Sequence, residues 1–205
     1  MVAWEIRIPA KLSGMGRAAL QTGVSPQEYL AFERASESKH EYAHGEIFAM
    51  AGSSREHSLL AGNVHGELRS ALLERPCEVH GPDMRVKIAA TGRYVYPDVS
   101  VVCGEPLFDD AKGDTLLNPA VIVEVLSDST EAYDRGDKFA QYRSIPSIGD
   151  YVLVSQKEAR IEHFQRRPGG TWLLTVLGPG ERLTLEHAAI ELDRVYLKVP
   201  LPAPR

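Results

Sequence analysis

The stretch PAVIVEVLSDST, residues 119–130, decides the fold. Five of the six residues from Val121 to Leu126 are aliphatic, and the sixth is Glu124. Such a run predicts a short strand buried on both faces. An ionised carboxylate left unpaired in such a place costs several kcal/mol or more. Glu124 therefore needs a cation, a proton or a hydrogen-bond donor.

A second apolar segment carries a single carboxylate in the same way: YPDVSVV, residues 96–102, with Asp98. The 26 positions from Asp98 to Glu124 are enough for one strand, a loop and the return strand. If the two strands are neighbours, their carboxylates face one another at the edge of a sheet. Two acids held that close in semi-apolar surroundings repel unless a cation lies between them. Hard divalent ions such as Mg²⁺ suit carboxylate oxygens and keep several waters. An ion held this way can polarise a phosphodiester and lower the pKa of an attacking water. Taken singly, Asp98 also reads as a capped turn after Pro97, and Glu124 as half of a buried ion pair with Arg or Lys.

Outward from this pair, SPQEYLAFERAS (25–36) starts a helix, with Ser25 as cap, Pro26 in its first position and Glu28 closing a capping box. KHEYAHGEIFAM (39–50) reads as a hairpin turning at AHG. SSREHSLLAGNVHGELRSALLER (53–75) is the clearest helix. Ser53 and Glu56 form its capping box, Leu60, Val64, Leu68 and Leu72 form one apolar face, and Pro76 ends it. Strands follow at CEVHG (77–81), MRVKIAA (84–90) and YVYPDVSVVCG (94–104), then a polar, acidic loop over 105–118. A helix is expected over 135–145, then strands at 150–156, 159–167 and 171–178, the last two joined by PGG. Helix, hairpin, helix, strands, helix, strands is the order of an α/β or α+β fold with a central mixed sheet. Residues 1–24 read as a leader, 25–199 as one domain and 200–205 as a tail.

A chain of 205 residues, 43% hydrophobic and 25% charged, suits one globular domain with a sizeable core. Its net charge of −5 argues against coating nucleic acid by bulk charge, and leaves local basic patches open. Cys77 and Cys103 make no CxxC pair and read as two reduced buried thiols. The opening MVAWEIRIPAKLSGMG has no continuous apolar core, and no segment approaches the ~18 apolar residues of a membrane span. A cytoplasmic protein without a membrane role is expected. His40 and His44 have i, i+4 spacing, but Gly45 and the hairpin pattern spoil a helical zinc pair. There is no HExxH, Walker loop, GxSxG or dinucleotide fingerprint.

YPDVSVV followed by VIVEVLS resembles the PD-(D/E)XK signature of restriction-endonuclease-like nucleases. More closely, the chain resembles a bacterial restriction-endonuclease family formerly classed as a domain of unknown function. The likeness runs through EYAHGEIFAMAGSSREHSLLAGNVHGELRSAL, YPDVSVV and PAVIVEVLSDSTEAYDRGDKFAQYRSIPSIGDYVLV. It covers roughly residues 25–156, with a continuation to 199. The resemblance implies a sheet flanked by helices, a divalent metal (Mg²⁺ or Mn²⁺) at Asp98 and Glu124, and a lysine that stabilises developing charge or orients water. Two residues after Glu124, where that lysine normally stands, this sequence has Leu126. The family commonly supplies the lysine from the following helix, which points to Lys138. Tyr142, four residues on, shares its helix face. Glu46 is a candidate third acid, and His57 could reach a metal water or a phosphate. Arg55, Arg69, Arg85, Lys87 and Arg93 could line a phosphate track, although isolated basic residues usually only solubilise.

The leading expectation is a metal-dependent endonuclease acting on DNA, and the resemblance implies a homodimer because restriction-type nucleases address both strands. An alternative is a catalytically inactive module of nuclease fold that binds nucleic acid or mediates oligomerisation; Leu126 and the acidic charge support it. A third is a hydrolase of another phosphoester, such as a nucleotide.

Overall fold

The computed structural model describes residues 18–50, 52–128 and 130–202. In chain order the elements are β1 (Gln21–Thr22), α1 (Pro26–Ala35), β2 (His40–Ala43), β3 (Glu46–Ala49), α2 (Arg55–Ala71), β4 (Cys77–His80), β5 (Arg85–Ile88), β6 (Arg93–Val95), β7 (Val99–Cys103), β8 (Thr115–Leu116) and β9 (Val121–Val125). Then come α3 (Glu131–Tyr133), a π turn over Asp134–Lys138, α4 (Phe139–Tyr142), β10 (Asp150–Val154), β11 (Ile161–Arg166), β12 (Trp172–Leu177), β13 (Arg182–Thr184), β14 (Ala189–Glu191) and α5 (Leu192–Val195).

The class is α+β. The mixed sheet that bears the candidate site has the order β12-β11-β10-β9-β7-β4, with β9 parallel to β10 and antiparallel to β7. A second sheet, β1-β3-β2-β6-β5-β8, gathers the N-terminal strands. β9 is buried throughout, as its aliphatic run requires. Val121, Val123 and Val125 join a core cluster with Leu60, Val64, Leu68 and Leu72 of the α2 region. Ile122 and Leu126 point the other way, to Tyr142, Ile145, Ile148 and Tyr151, and to Val86, Ile88 and Val95 of the second sheet. Helix α1 covers that sheet's far face through Tyr29 and Leu30, which meet Tyr42, Ile47 and Tyr94.

Three local departures from the sequence reading have physical causes. YVYPDVSVVCG is not one strand: β6 belongs to one sheet and β7 to the other. Pro97 has no N–H to give to a ladder, so the chain crosses between sheets there and leaves Asp98 at the crossing. The α2 cap is Ser54, whose hydroxyl accepts from His57 N–H and donates to Gln156 Oε1, a tertiary partner 102 positions away. The helix expected over 135–145 begins at Glu131 and is interrupted by the π turn. Elsewhere the local chemistry works as read. Ser25 and Glu28 form the capping box, and the hairpin turns through His44 and Gly45, both at positive φ, which matches the twist of its strands.

At the boundaries, Gln21 and Thr22 of the expected leader pair with β3, and Leu201 of the expected tail packs on the core. The remainder of the leader, residues 1–17, and residues 203–205 of the tail lie outside the described residues. The reading of two separate thiols is corrected. β4 and β7 pair with Cys77 opposite Cys103, and the two are joined as a disulfide. The cytoplasmic expectation loses the support it drew from reduced cysteines. Among the described residues, no helix is long and apolar enough to cross a membrane.

The acidic loop over 105–118 is tied down by ion pairs. Arg34 Nε lies 2.8 Å from Asp114 Oδ2, and Arg85 Nη2 lies 2.9 Å from Asp114 Oδ1. The hydrogen bond from Arg34, joined by the Arg85 charge and against partial burial, holds the Asp114 carboxyl well below the usual range. A depressed folded value makes this contribution to stability complete above about pH 4 and loses it as pH falls through the lower folded value. Asp114→Asn should therefore lower the urea midpoint at neutral pH, and the gap from wild type should close on acidification. Parallel midpoint curves down to the lowest pH would show that the pair contributes nothing.

Candidate active site

β7 and β9 bring the two acids together. Their register pairs Val99 with Val123, so Asp98 and Glu124, one step further along each strand, are neighbours. Val125 N–H donates to Asp98 Oδ2 at 2.7 Å, which fixes the carboxylate at the sheet crossing to the end of β9. Strand alternation turns Glu124 to the same face as Ile122 and Leu126.

The amine comes from the π turn. Lys138 Nζ lies 2.8 Å from Glu124 Oε1, 3.6 Å from Asp134 Oδ1 and 3.8 Å from Glu41 Oε1. The Tyr142 hydroxyl donates to the same Glu124 oxygen at 3.0 Å. Tyr151 anchors the turn by donating its hydroxyl to the Asp134 carbonyl at 2.9 Å. Asp134, Lys138 and Tyr142 recur every four residues and are all buried, so one stripe of the interrupted helix delivers acid, amine and phenol. Leu126 is core, and the amine reaches Glu124 from the helix packed over that face. The partner Glu124 requires is thus a cation, with a phenol beside it.

Among the described residues, the four carboxylates of Glu41, Asp98, Glu124 and Asp134 face two basic groups, Lys138 and His57. Burial pushes the Glu124 carboxyl up, Lys138 opposes it, and Asp134 and Asp98 reinforce it. Burial likewise raises Asp134. Burial alone would lower the Lys138 ammonium, but Glu124, Tyr142, Asp134 and Glu41 outweigh it and hold the amine charged. His57 Nε2, on the first turn of α2, lies 3.3 Å from Asp98 Oδ2. Burial disfavours its charged form, yet Asp98 keeps its pKa above the ordinary value.

The structure thus gathers Asp98, Glu124, Lys138, Tyr142 and His57. It does not bring Glu46 to the amine. Glu46 opposes Ala43, whereas Glu41 opposes Phe48, so the two acids share a sheet face but stand two residues apart. Glu41 is the one beside Lys138. Of the basic track, Arg85 and Lys87 are engaged by Asp114 and Asp109.

Among the described residues, no group of three or more His, Cys, Asp and Glu is placed to hold a metal ion by itself. The donor set still fits a hard divalent ion. Hydrogen bonds among the described residues engage one oxygen each of Asp98 and Glu124, and among those residues the site carboxylates outnumber the basic groups. Mg²⁺ commonly binds through one or two carboxylates with waters completing its shell.

Residues 26–197 match the Uma2 family, described as "Putative restriction endonuclease". The chain belongs to the Uma2 family. Two uncharacterized proteins of Synechocystis sp. are similar to it. One, slr1290, is 37% identical over 175 residues, covering 84% of this chain and 91% of that protein. The other, sll1609, is 38% identical over 165 residues, covering 80% and 93%. The crystal structure of "a putative nuclease belonging to DUF820" from Anabaena variabilis is similar with a TM-score of 0.69 at 14% identity. It covers 85% of this chain and 98% of that one, a likeness of restriction-endonuclease-like fold.

In this Uma2 chain, two site acids escaped the sequence reading. Asp134 had a signal, since it lies four residues before Lys138 as Tyr142 lies four after. Glu41 had none, because HEYA is a four-residue strand buried at every position and no alternation singles it out.

Proposed function

We propose that the chain is a divalent-metal-dependent endonuclease that hydrolyses DNA phosphodiester bonds. The observation that supports this best is the convergence of Asp98, Glu124 and Lys138 from three separate elements, with the amine 2.8 Å from Glu124. Asp98 and Glu124 would hold Mg²⁺ or Mn²⁺, which when bound supplies Lewis acidity and a more acidic water. Glu41, in preference to Glu46, is the third acid of the site. Lys138 offsets negative charge that grows on the phosphate oxygens in the transition state. Glu124, Asp134 and Glu41 keep that ammonium protonated, and Tyr142 fixes the rotamer of Glu124. His57 contacts the same Asp98 oxygen that accepts from Val125 N–H and can donate to an incoming phosphate or water. The inactive-module alternative rested on the missing lysine at Leu126 and on the acidic net charge; the reach of Lys138 to Glu124 speaks against the first of these.

The test is cleavage of circular DNA with Mg²⁺ or Mn²⁺. The expected result is metal-dependent nicking and linearisation, stopped by EDTA. Turnover of small phosphodiesters without DNA cleavage would favour the other phosphoesterase. Neither activity, with no rise in melting temperature on adding either metal, would favour the inactive module.

A further inference from the structure

Three cationic side chains among the described residues are buried: Arg85, Arg93 and Lys138. Arg85 has Asp114, and Lys138 has Glu124. Arg93 is 7% exposed, and no carboxylate among the described residues lies within ion-pair distance of it. Its Nη1 donates to the Tyr133 hydroxyl at 3.3 Å, its Nη2 to His44 Nε2 at 3.1 Å, and its Nε has no partner. A buried guanidinium held by a hydroxyl and an imidazole nitrogen, and short of one acceptor, is an unfinished anion site.

Its position indicates which anion. Tyr42 pairs with Tyr94, so Arg93 stands next to Ala43, on the sheet face that carries Glu41. The Tyr133 hydroxyl that Arg93 holds lies within electrostatic reach of Glu41, Lys138 and Glu124. Burial first and Glu41 second push that hydroxyl up to about 12, against Lys138 and Arg93. His44, on the other side, is exposed at the hairpin tip, so solvent reaches this margin of the site. A polyanion approaching four carboxylates needs cations at the rim to offset repulsion. A guanidinium fork matches two phosphate oxygens in a way an ammonium does not.

We infer that Arg93 is a substrate-binding residue that takes a backbone phosphate of the nucleic acid beside the carboxylate cluster. The polynucleotide part of this inference rests on the proposed nuclease reading; the anion site does not. Two arms separate them, using wild type, Arg93→Gln and Arg93→Lys. In the first arm, inorganic phosphate is compared with chloride at equal ionic strength by thermal melting. Phosphate should raise the wild-type melting temperature, and Arg93→Gln should lose that rise. In the second arm, binding of a duplex oligonucleotide is followed against salt, with every protein carrying Glu124→Gln to prevent cleavage. Arg93→Gln should weaken binding about tenfold and reduce the slope of log K on log salt by ~0.9, the loss of one phosphate contact. Arg93→Lys should keep the slope and lose several-fold in affinity, and it carries the test if Arg93→Gln does not fold. Equal phosphate stabilisation in wild type and Arg93→Gln, or Arg93→Lys binding as tightly as wild type, would overturn the anion site. A phosphate response lost in Arg93→Gln, in a protein that does not bind DNA, would sustain the site and remove the nuclease reading.

Discussion

Lys138→Met is expected to slow cleavage by orders of magnitude and to destabilise the protein by about 3–5 kcal/mol, the range for removing one partner of a buried ion pair. The side chain is nearly isosteric, so packing changes little; what disappears is the ammonium. Glu124, Asp134 and Glu41 then share a buried space without the cation that lies 2.8, 3.6 and 3.8 Å from them. The folded state answers by protonating carboxyls, and burial already drives Glu124 and Asp134 in that direction. Folded pKa values raised above the unfolded ones mean that the native variant binds more protons than its unfolded chain. Its stability therefore falls as pH rises above the ordinary carboxylate range, and its deficit against wild type narrows on acidification. Urea midpoints from acid to neutral pH, with an unchanged m-value, measure both effects. The cleavage rate should fall by about 10²–10³ even where the variant is fully folded, as for other lost charge-stabilising donors. A variant as stable as wild type at neutral pH would show that the amine is not the counter-ion of the cluster.

How far this site can be read from sequence follows from what each residue depends on. β9 and its misplaced acid were legible because burial on both faces leaves an uninterrupted aliphatic run, which makes Glu124 conspicuous. The Leu60, Val64, Leu68 and Leu72 stripe was legible for the same reason, since period and burial coincide. The pairing of Asp98 with Glu124 depended on β7 and β9 being neighbours, and 26 positions left that open until the register showed it. Pro97 was visible as a residue, but that it hands the chain from one sheet to the other is a property of both sheets together. The disulfide was illegible because Cys77 and Cys103 face each other only once β4 pairs with β7. Lys138 came from family resemblance, because no local pattern tells that a π turn will aim an amine over Leu126. Glu41 belongs to a short buried hairpin strand whose exposed and buried faces do not differ, so periodicity had nothing to report.

Glu124→Gln removes the other half of the same ion pair, yet should leave the fold nearly as stable as wild type. Cleavage should fall about a thousandfold or more, because several kcal/mol of metal-derived stabilisation goes with the carboxylate. Stability should stay within about 1 kcal/mol of wild type. The amide oxygen can still accept from the Tyr142 hydroxyl and the Lys138 ammonium, and Asp134 and Glu41 remain as its counter-ions. Taking one charge from a group of closely spaced acids also relieves the repulsion that burial intensifies. The rise in melting temperature on adding Mg²⁺ or Mn²⁺, expected of wild type, should disappear in this variant. Asp98→Asn should behave alike in activity while keeping its bond from Val125 N–H through the amide oxygen. Cleavage by Glu124→Gln at the wild-type rate, or an unchanged metal-induced rise in melting temperature, would remove Glu124 from the metal site. The unequal fates of the two folds follow from the arithmetic of the site. Lys138 lies within ion-pair distance of three acids, so losing one acid leaves the amine partnered, whereas losing the amine takes the same cation from all three at once.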